Sequence, residues 1–386
     1  MVSNNWKLQF KVLISLFSFF LYNFLFIPEE GEKRYFLEPA VSLKPDHIVA
    51  HYIPLSDTLA SDTLYEVRSS SEIPIYYFRK ISTNVCFDNK CRFLRTNVYW
   101  NITGRYLGLE FTEDEYLSKT DHVPFTEAEY QEMNQKLADS FSILADYEFE
   151  NVVVIDSSEV GDVDGVTSAT IPAVKDFVVE GAVYTTMKLW HIIHGSTRST
   201  VQELTVENLS EDLVLLLLKS NDVYDLIWVI NKLNRSKIWS ESVQSAVAEK
   251  LDDNYLLTNS IFTSLDASLL DANFQKLLFQ AFLASEYGIK ELIVEKLAEA
   301  ESLNEEIVLG VTKEMPDIQG NLFVKILDLV GRENWQNVEI YRSVAHLLTL
   351  PNHFLNRKVY DFLSPLDIND PIVVKAIEEY EKDRKQ

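Results

Sequence analysis

Residues 288–300 have the sequence GIKELIVEKLAEA, and residues 320–330 have the sequence GNLFVKILDLV. Both segments place apolar side chains three or four positions apart, which predicts amphipathic helices. Similar segments follow one another from Leu209 to the end, separated by short breaks that contain Asn, Asp, Gly or Pro. Because successive pairs recur at roughly 30–35 residues, we predict an all-α domain over residues 201–386. It is either a HEAT-like solenoid of stacked helix pairs or an irregular helical bundle.

The chain before this region has a mixed pattern. The runs IPIYYFRKI (73–81) and RYLGLEF (105–111) are rich in aromatic and β-branched residues and predict a hairpin or a small meander. A capping-box pattern at its start predicts a helix over residues 126–145. The sequence NVVVI (151–155) predicts a buried strand, and a further helix is predicted over residues 172–194. These elements together indicate an α+β domain.

We place this α+β domain at residues 75–200. Five prolines interrupt residues 28–74, which predicts an extended lead-in with one helix near Asp57–Val67.

Residues 1–27 have the pattern of a targeting segment. Lys7 and Lys11 precede an apolar run from Val12 to Ile27, VLISLFSFFLYNFLFI. A positive segment followed by an apolar core is typical of a secretory signal or an N-terminal membrane anchor, and a buried N-terminal helix is the alternative. The lysines before the run predict that the rest of the chain lies outside the cytoplasmic membrane. We therefore expect a periplasmic protein, with cleavage or anchoring of residues 1–27 left open.

The composition excludes several classes of protein. Among 386 residues, 59 Asp and Glu oppose 35 Lys and Arg, which gives a formal net charge of −24. A chain this acidic repels phosphate backbones, so we expect no nucleic-acid partner. Hydrophobic residues make up 47%, which is typical of a globular protein. Two cysteines cannot frame a disulfide-rich scaffold or a four-thiolate metal site.

The stretch most informative about chemistry is DGVTSATIP, residues 164–172. Pro172 suits the first turn of a helix, where free N–H groups and the helix dipole favour a phosphate. An ordinary helix cap with Ser and Thr is the alternative. The loop before the proline combines small residues, which let a ligand approach the backbone, with hydroxyl side chains: Gly165, Thr167, Ser168, Ala169 and Thr170.

DGVTSAT also resembles the flavinylation motif of the FMN-binding domain family, Asp-x-x-Ser/Thr-Gly/Ser-Ala-Thr. That family occurs in exported electron-transfer proteins, including subunits of the sodium-pumping NADH:quinone reductase and of the Rnf complex. Its last Thr carries FMN through a phosphoester, which a separate FAD:protein FMN transferase installs with Mg²⁺. The resemblance implies covalent FMN on Thr170, with Asp164 as the acidic residue of the motif. It places Gly165, Thr167, Ser168 and Ala169 in the loop around the phosphate.

Residues 75–195 resemble a group of exported proteins from Bacteroidetes-type bacteria that carry this motif. The resemblance implies an electron carrier or redox subunit rather than a stand-alone enzyme. It would relay electrons from a membrane redox donor to an extracytoplasmic acceptor protein. The alternative is a non-redox scaffold whose helical solenoid binds a partner protein.

The remaining candidates have plainer interpretations. Cys86 and Cys91 flank a predicted turn, and in an oxidising compartment they predict a disulfide that closes a hairpin. A redox-active pair that exchanges electrons with FMN is the alternative. Asp121 and His122 form a weak acid–base candidate, since no nucleophile accompanies them.

One face of the predicted helix 172–194 carries further candidates. His191 and His194 are three residues apart, and packing or capping is favoured over metal binding, for which we predict no site. Tyr184, Met187 and Trp190 form a stripe that indicates a helix core, with a wall for a flavin ring as the alternative.

Overall fold

The structure is a computed structural model. It describes residues 33–384 apart from 54–58, 60, 86–92, 113, 120–121, 149–152, 155–168 and 252–253. The chain divides into two compact units, residues 1–204 and residues 205–386. The first unit combines an antiparallel sheet with helices and the second is helical, so the predicted sequence of an α+β domain followed by an all-α domain is confirmed.

Six strands form one antiparallel sheet in the first unit. In chain order they are β1 (Lys33–Phe36), β2 (Pro45–Tyr52), β3 (Thr63–Ser69), β4 (Pro74–Thr83), β5 (Leu94–Asn101) and β6 (Tyr106–Phe111). Their order across the sheet is β1-β6-β5-β4-β3-β2. Strands β2 to β6 therefore follow one another as a meander, and β1 pairs with β6 at the far edge.

The sheet begins much earlier in the chain than the sequence indicates. Residues 28–74 were expected to be a lead-in outside the α+β domain, yet β1, β2 and β3 lie within this range. The helix expected near Asp57–Val67 is wrong where it overlaps β3, because Thr63–Ser69 is a strand. Its side chains alternate between the two faces of the sheet, and the period of two overrides the local helix propensity.

Cross-strand partners divide the sheet into two faces. One row runs through Phe36, Gly108, Tyr99, Phe78 and Tyr65, which are partners in successive strands. We call this the aromatic face; its other side chains include Ile48, Tyr52 and Tyr76. The opposite face, which we call the helix side, carries the largest fully buried side chains of the sheet, including Tyr77, Arg79 and Trp100.

Three helices bond to the helix side: α1 (Glu127–Ala138), α2 (Val183–His194) and α3 (Ser196–Glu207). Trp100 Nε1 donates to the carbonyl of Ile193 at 2.8 Å, which ties β5 to α2. Arg79 Nη1 donates to the Thr197 hydroxyl at 2.9 Å, and Arg79 is fully buried. Since a buried guanidinium needs these acceptors, the contacts fix the start of α3 over the sheet.

The capping box predicted for α1 is present. The Thr126 hydroxyl accepts from the backbone N–H of Glu129, and the Glu129 carboxylate accepts from the backbone N–H of Thr126. The helix ends at Ala138, short of the predicted end at residue 145, because Asp139 is extended and Ser142 caps a separate 3₁₀ turn, Ile143–Asp146. The helix start is therefore encoded locally, whereas the end depends on the segment that follows.

The second unit is a regular succession of helices. They are α4 (Glu211–Leu217), α5 (Val223–Ser236), α6 (Glu241–Ala248), α7 (Tyr255–Ser264), α8 (Ala272–Ala284), α9 (Tyr287–Leu297), α10 (Glu305–Glu314), α11 (Gly320–Val330), α12 (Val338–His346), α13 (His353–Leu363) and α14 (Pro371–Asp383). Alternate helices therefore start at nearly constant intervals along the chain, and these intervals agree with the repeat length that the sequence indicates.

The packing of these helices follows the same period. From α4 to α12, each helix contacts the helix two places further along the chain, and neighbours such as α8 and α9 also contact each other. The even-numbered helices therefore form one row and the odd-numbered helices form a second row. Each apolar face is buried mainly on neighbours in sequence, which explains why the helical pattern is so clear in the sequence alone.

Candidate functional site

The flavinylation-like motif ends in a short strand. Asp164, Gly165, Thr167 and Ser168 lie outside the described residues. Ala169 and Thr170 form β8 (Ala169–Thr170), which pairs antiparallel with β7 (Val153–Val154) so that Thr170 lies opposite Val153. Thr170 thus has an extended backbone at the end of a two-residue ladder.

The helix predicted to begin at Pro172 is interrupted. Residues Pro172–Phe177 form a 3₁₀ turn. The α-helix α2 begins only at Val183. Gly181 separates the two because its φ of +74° lies in the left-handed region, where glycine is the least strained residue. The Thr186 hydroxyl, which accepts from the Val179 N–H, fixes the extended segment before α2. The predicted start of an α-helix at Pro172 is therefore wrong, because the described residues 172–177 form a 3₁₀ turn.

The turn after Thr170 is nevertheless fixed to the domain. Lys136 Nζ donates to the carbonyl of Asp176 at 2.6 Å, and Val174 is fully buried. The turn also contacts the 3₁₀ turn Ile143–Asp146. Thr170 consequently lies just before a turn that is held from two directions.

The two histidines of α2 bind backbone carbonyls. His191 Nε2 donates to Tyr147 O at 3.1 Å, and His194 Nε2 donates to Leu137 O at 2.9 Å. These bonds hold the last turn of α1 and the residue after the 3₁₀ turn Ile143–Asp146 against α2. These contacts support the packing interpretation of the histidines. Among the residues that the structure describes, no cluster of three or more His, Cys, Asp or Glu could hold a metal ion.

Met187 and Trp190 of the predicted stripe on α2 belong to the core, and Tyr184 is half-buried. Met187 is fully buried, and Trp190 is 4% exposed with its Nε1 donating to Asp139 O at 2.9 Å. The Trp190 ring lies 4.5 Å from the His194 ring, centroid to centroid. Trp190 is thus occupied by packing against its own domain, as the core interpretation predicts.

The electrostatic state of His194 follows from its position. Burial lowers its pKa to about 4, and the contact with Leu137 O opposes this shift without reversing it. Nδ1 is buried and has no hydrogen-bond partner among the described residues. The side chain is therefore neutral at pH 7, with its proton on Nε2.

We expect His194 to make the first unit sensitive to acid. The pKa of His194 is lower in the folded than in the unfolded chain. The contribution of His194 to the free energy of unfolding is therefore complete above pH 6.5 and is lost as the pH falls to about 4. The full contribution is roughly 3 kcal/mol. His194→Gln, which keeps the donor to Leu137 O but does not titrate, should flatten this part of the pH dependence of unfolding in urea.

The control for this measurement is His191→Gln, since His191 is exposed on the same helix. It should leave the acid sensitivity of the wild type unchanged. If His194→Gln loses as much unfolding free energy between pH 6.5 and pH 4 as the wild type, the assignment to His194 is wrong.

The other candidate pairs fall partly or wholly outside the described residues. Cys86 and Cys91 both do so, but β4 and β5 on either side pair antiparallel, with Thr83 opposite Leu94. The predicted hairpin is present, and the disulfide stays a prediction. Asp121 is also outside the described residues, while His122 is exposed with a left-handed φ of +59°.

A buried charged cluster on the helix side was not anticipated. The Glu66 side chain is fully buried, and its Oε2 accepts from His51 Nε2 at 2.6 Å and from Arg68 Nη2 at 3.0 Å. The hydrogen bond to Glu66 raises the pKa of Arg68. The sequence holds one signal for this cluster: Glu66 and Arg68 are two residues apart, and in a strand this spacing places both side chains on one face. A buried carboxylate requires such partners, so the cluster holds β2 on β3.

Comparison with known proteins adds no relative: no protein-family model, no curated protein and no solved structure matches the chain. In the described part of the chain, no helix is both long enough and apolar enough to cross a membrane.

Proposed function

We propose that this protein is an exported electron carrier with FMN bound covalently through a phosphoester to Thr170. The observation that carries the proposal is the motif Asp164–Thr170, which has the acidic, hydroxyl, small and Thr positions of the FMN-binding domain family. An FAD:protein FMN transferase with Mg²⁺ would form the bond between the Thr170 oxygen and phosphorus. The pyrophosphate bond of FAD breaks in the same step, and AMP leaves.

The local structure fits covalent attachment better than reversible binding. The helix that was expected to hold a free phosphate begins at Val183 and not at Pro172. An ester does not need that helix, because the bond itself prevents loss of the cofactor outside the cytoplasm. The extended backbone at Thr170 and the turn fixed by Lys136 would hold the attachment point against the domain. The flavin would supply reversible electron transfer, and the chain supplies attachment and orientation.

The partners follow from the predicted location. With residues 1–27 as a signal or anchor, Thr170 lies outside the cytoplasmic membrane. The electron donor would be a membrane redox protein, and the acceptor an extracytoplasmic protein. The net charge of −24 favours partners that present a basic surface.

Thr170→Ala tests the attachment. The full chain, produced in an exporting host together with the transferase, should gain the mass of one FMN less one water. Without the transferase, or with Thr170→Ala, the gain should vanish because no nucleophilic oxygen remains at that position. Intact-mass spectrometry measures the gain directly.

Ser168→Gly is the matched control, since Gly is the alternative residue at that position of the motif. It should keep the added mass. Covalent flavin on the Thr170→Ala variant, or none on the wild type with an active transferase, would show that Thr170 does not carry FMN.

A second proposal concerns the helical unit, which we infer to be a HEAT-like solenoid that binds a partner protein. It is supported by the two rows of helices and by the regular spacing of their starts along the chain. This unit is compatible with the electron carrier, and it would be the main functional part of a scaffold without flavin. The mass experiment separates the two, because a scaffold stays free of flavin when the transferase is active.

A further inference from the structure

The aromatic face of the sheet is open to solvent along its edges. Phe36 is 39% exposed, Ile48 57% and Tyr52 78%, whereas Tyr65 and Phe78 between them are half-buried and Tyr99 is buried. The helices α1, α2 and α3 bond to the opposite face, for example through Asn134, Ile193 and Thr197. Large apolar side chains in this position indicate an interaction surface.

The ring geometry restricts what such a surface can bind. Tyr65 stacks on Phe78 with centroids 4.9 Å apart and planes 14° apart, and Phe78 stacks on Tyr99 at 5.5 Å and 29°. The flat faces of these rings therefore contact one another. The rings offer edges to the outside rather than flat faces on which a sugar or a base could stack. A row of aromatic edges is suited to the boundary between lipid headgroups and acyl chains, where Tyr and other amphipathic rings concentrate.

The position of the apolar run Val12–Ile27 indicates that a membrane is what the aromatic face contacts. Only residues 28–32 separate it from β1. Six Cα–Cα steps span at most about 20 Å. If the run is anchored in a bilayer, β1 and its Phe36 start close to the membrane surface. The net charge of −24 argues against attraction to anionic lipids, so contact has to come from apolar side chains.

We propose that the aromatic face docks on the outer surface of the membrane that anchors residues 12–27, with Phe36, Ile48 and Tyr52 between the lipid headgroups. The proposal rests on the anchored form of the proposed function and does not require flavin. Docking would hold the first unit at a fixed height above a membrane redox donor.

Tryptophan reporters in the full chain test this contact. Tyr52→Trp and Ile48→Trp place the reporter on the aromatic face at two independent positions. Phe141→Trp is the matched control, because Phe141 is 88% exposed and follows α1, which packs on the helix side. Each variant is reconstituted into phosphatidylcholine vesicles with and without brominated acyl chains, and the fluorescence of the parent chain is subtracted.

We expect brominated lipid to quench the Tyr52→Trp and Ile48→Trp reporters about twofold and the Phe141→Trp reporter hardly at all. Quenching should be unchanged in about 0.5 M salt, since apolar contact is not screened. A full chain that does not associate with the vesicles, equal quenching at all three positions, or quenching lost in salt would overturn the proposal. So would reporters on the aromatic face that are blue-shifted without vesicles and unquenched with them, because Val12–Ile27 would then cover the face.

The intact mass of the same preparation distinguishes the docking proposal from the proposal of an electron carrier with covalent FMN. Flavin without quenching overturns only the docking. Quenching without flavin overturns only the electron carrier.

Discussion

Gly108→Ala is expected to separate β1 from the sheet and to lower the free energy of unfolding of the first unit by about 3 kcal/mol or more. A Cβ atom at this position would overlap the backbone carbonyl of Tyr35 in β1, and backbone cannot move aside as a side chain can. Losing β1 also removes the contact of Phe36 with Tyr99 and the stacking of Tyr35 on Tyr130 in α1. Chemical unfolding followed by circular dichroism measures the change.

Gly288→Ala provides a control with the same substitution. Gly288 lies in the first turn of α9, and nothing is within 4 Å of the position that its Cβ would take. Because alanine is the better helix former, this variant should be neutral or more stable by about 0.5–1 kcal/mol. If Gly108→Ala unfolds like the wild type, β1 does not pair with β6 as described.

The pairing of β1 also shows what the sequence cannot reveal. Phe36 lies opposite Gly108, which is far along the chain beyond four intervening strands, and no local pattern connects such distant segments. Residues 33–69 therefore resemble a lead-in until the meander that they complete is known. Glu66 adds to this difficulty, because a charged residue in a sequence indicates a solvent-exposed position. Its burial is explained only by the contacts with His51 and Arg68, which the structure shows.

The helical unit is predictable for the opposite reason. Its information is local: a cap residue, an apolar stripe and a break recur in every repeat. The helices of one row begin after similar polar caps whose side chains accept from the first turn, at Ser210, Ser240, Asp271, Asn304, Asn337 and Asp370. The spacing of these caps is as regular as that of the apolar segments.

The candidate site lies between these extremes. The motif that ends in Thr170 is visible in the sequence, but the helix expected behind it is not continuous. Pro172 is compatible with a helix start, and the apolar spacing of residues 172–194 continues a helical pattern. The break depends on Gly181 in the left-handed region and on the Thr186 hydroxyl, which accepts a bond that a helix would have made internally. A single glycine in a periodic segment is too weak a signal to place that break in advance.

Gln275→Leu is expected to lower the free energy of unfolding of the helical unit by roughly 3 kcal/mol. Gln275 is 2% exposed in α8. Its Nε2 donates to Leu270 O and to Ser302 O, both at 2.8 Å. Its Oε1 accepts from the backbone N–H of Asn304 at 2.8 Å, which fixes the cap of α10 in the next repeat.

Leucine has a similar volume, so the substitution removes polar contacts while it largely keeps the packing. The backbone groups of Leu270, Ser302 and Asn304 then lose this partner, and a buried group left unpaired, such as the Leu270 carbonyl, costs about 1–3 kcal/mol. Gln280→Leu in the same helix is the control, because Gln280 is exposed, and its effect should stay within about 0.5 kcal/mol. Since Gln275 joins consecutive repeats, its loss should also reduce the cooperativity of unfolding, which appears as a smaller slope with urea. Equal stability of the two variants would mean that Gln275 does not join the repeats.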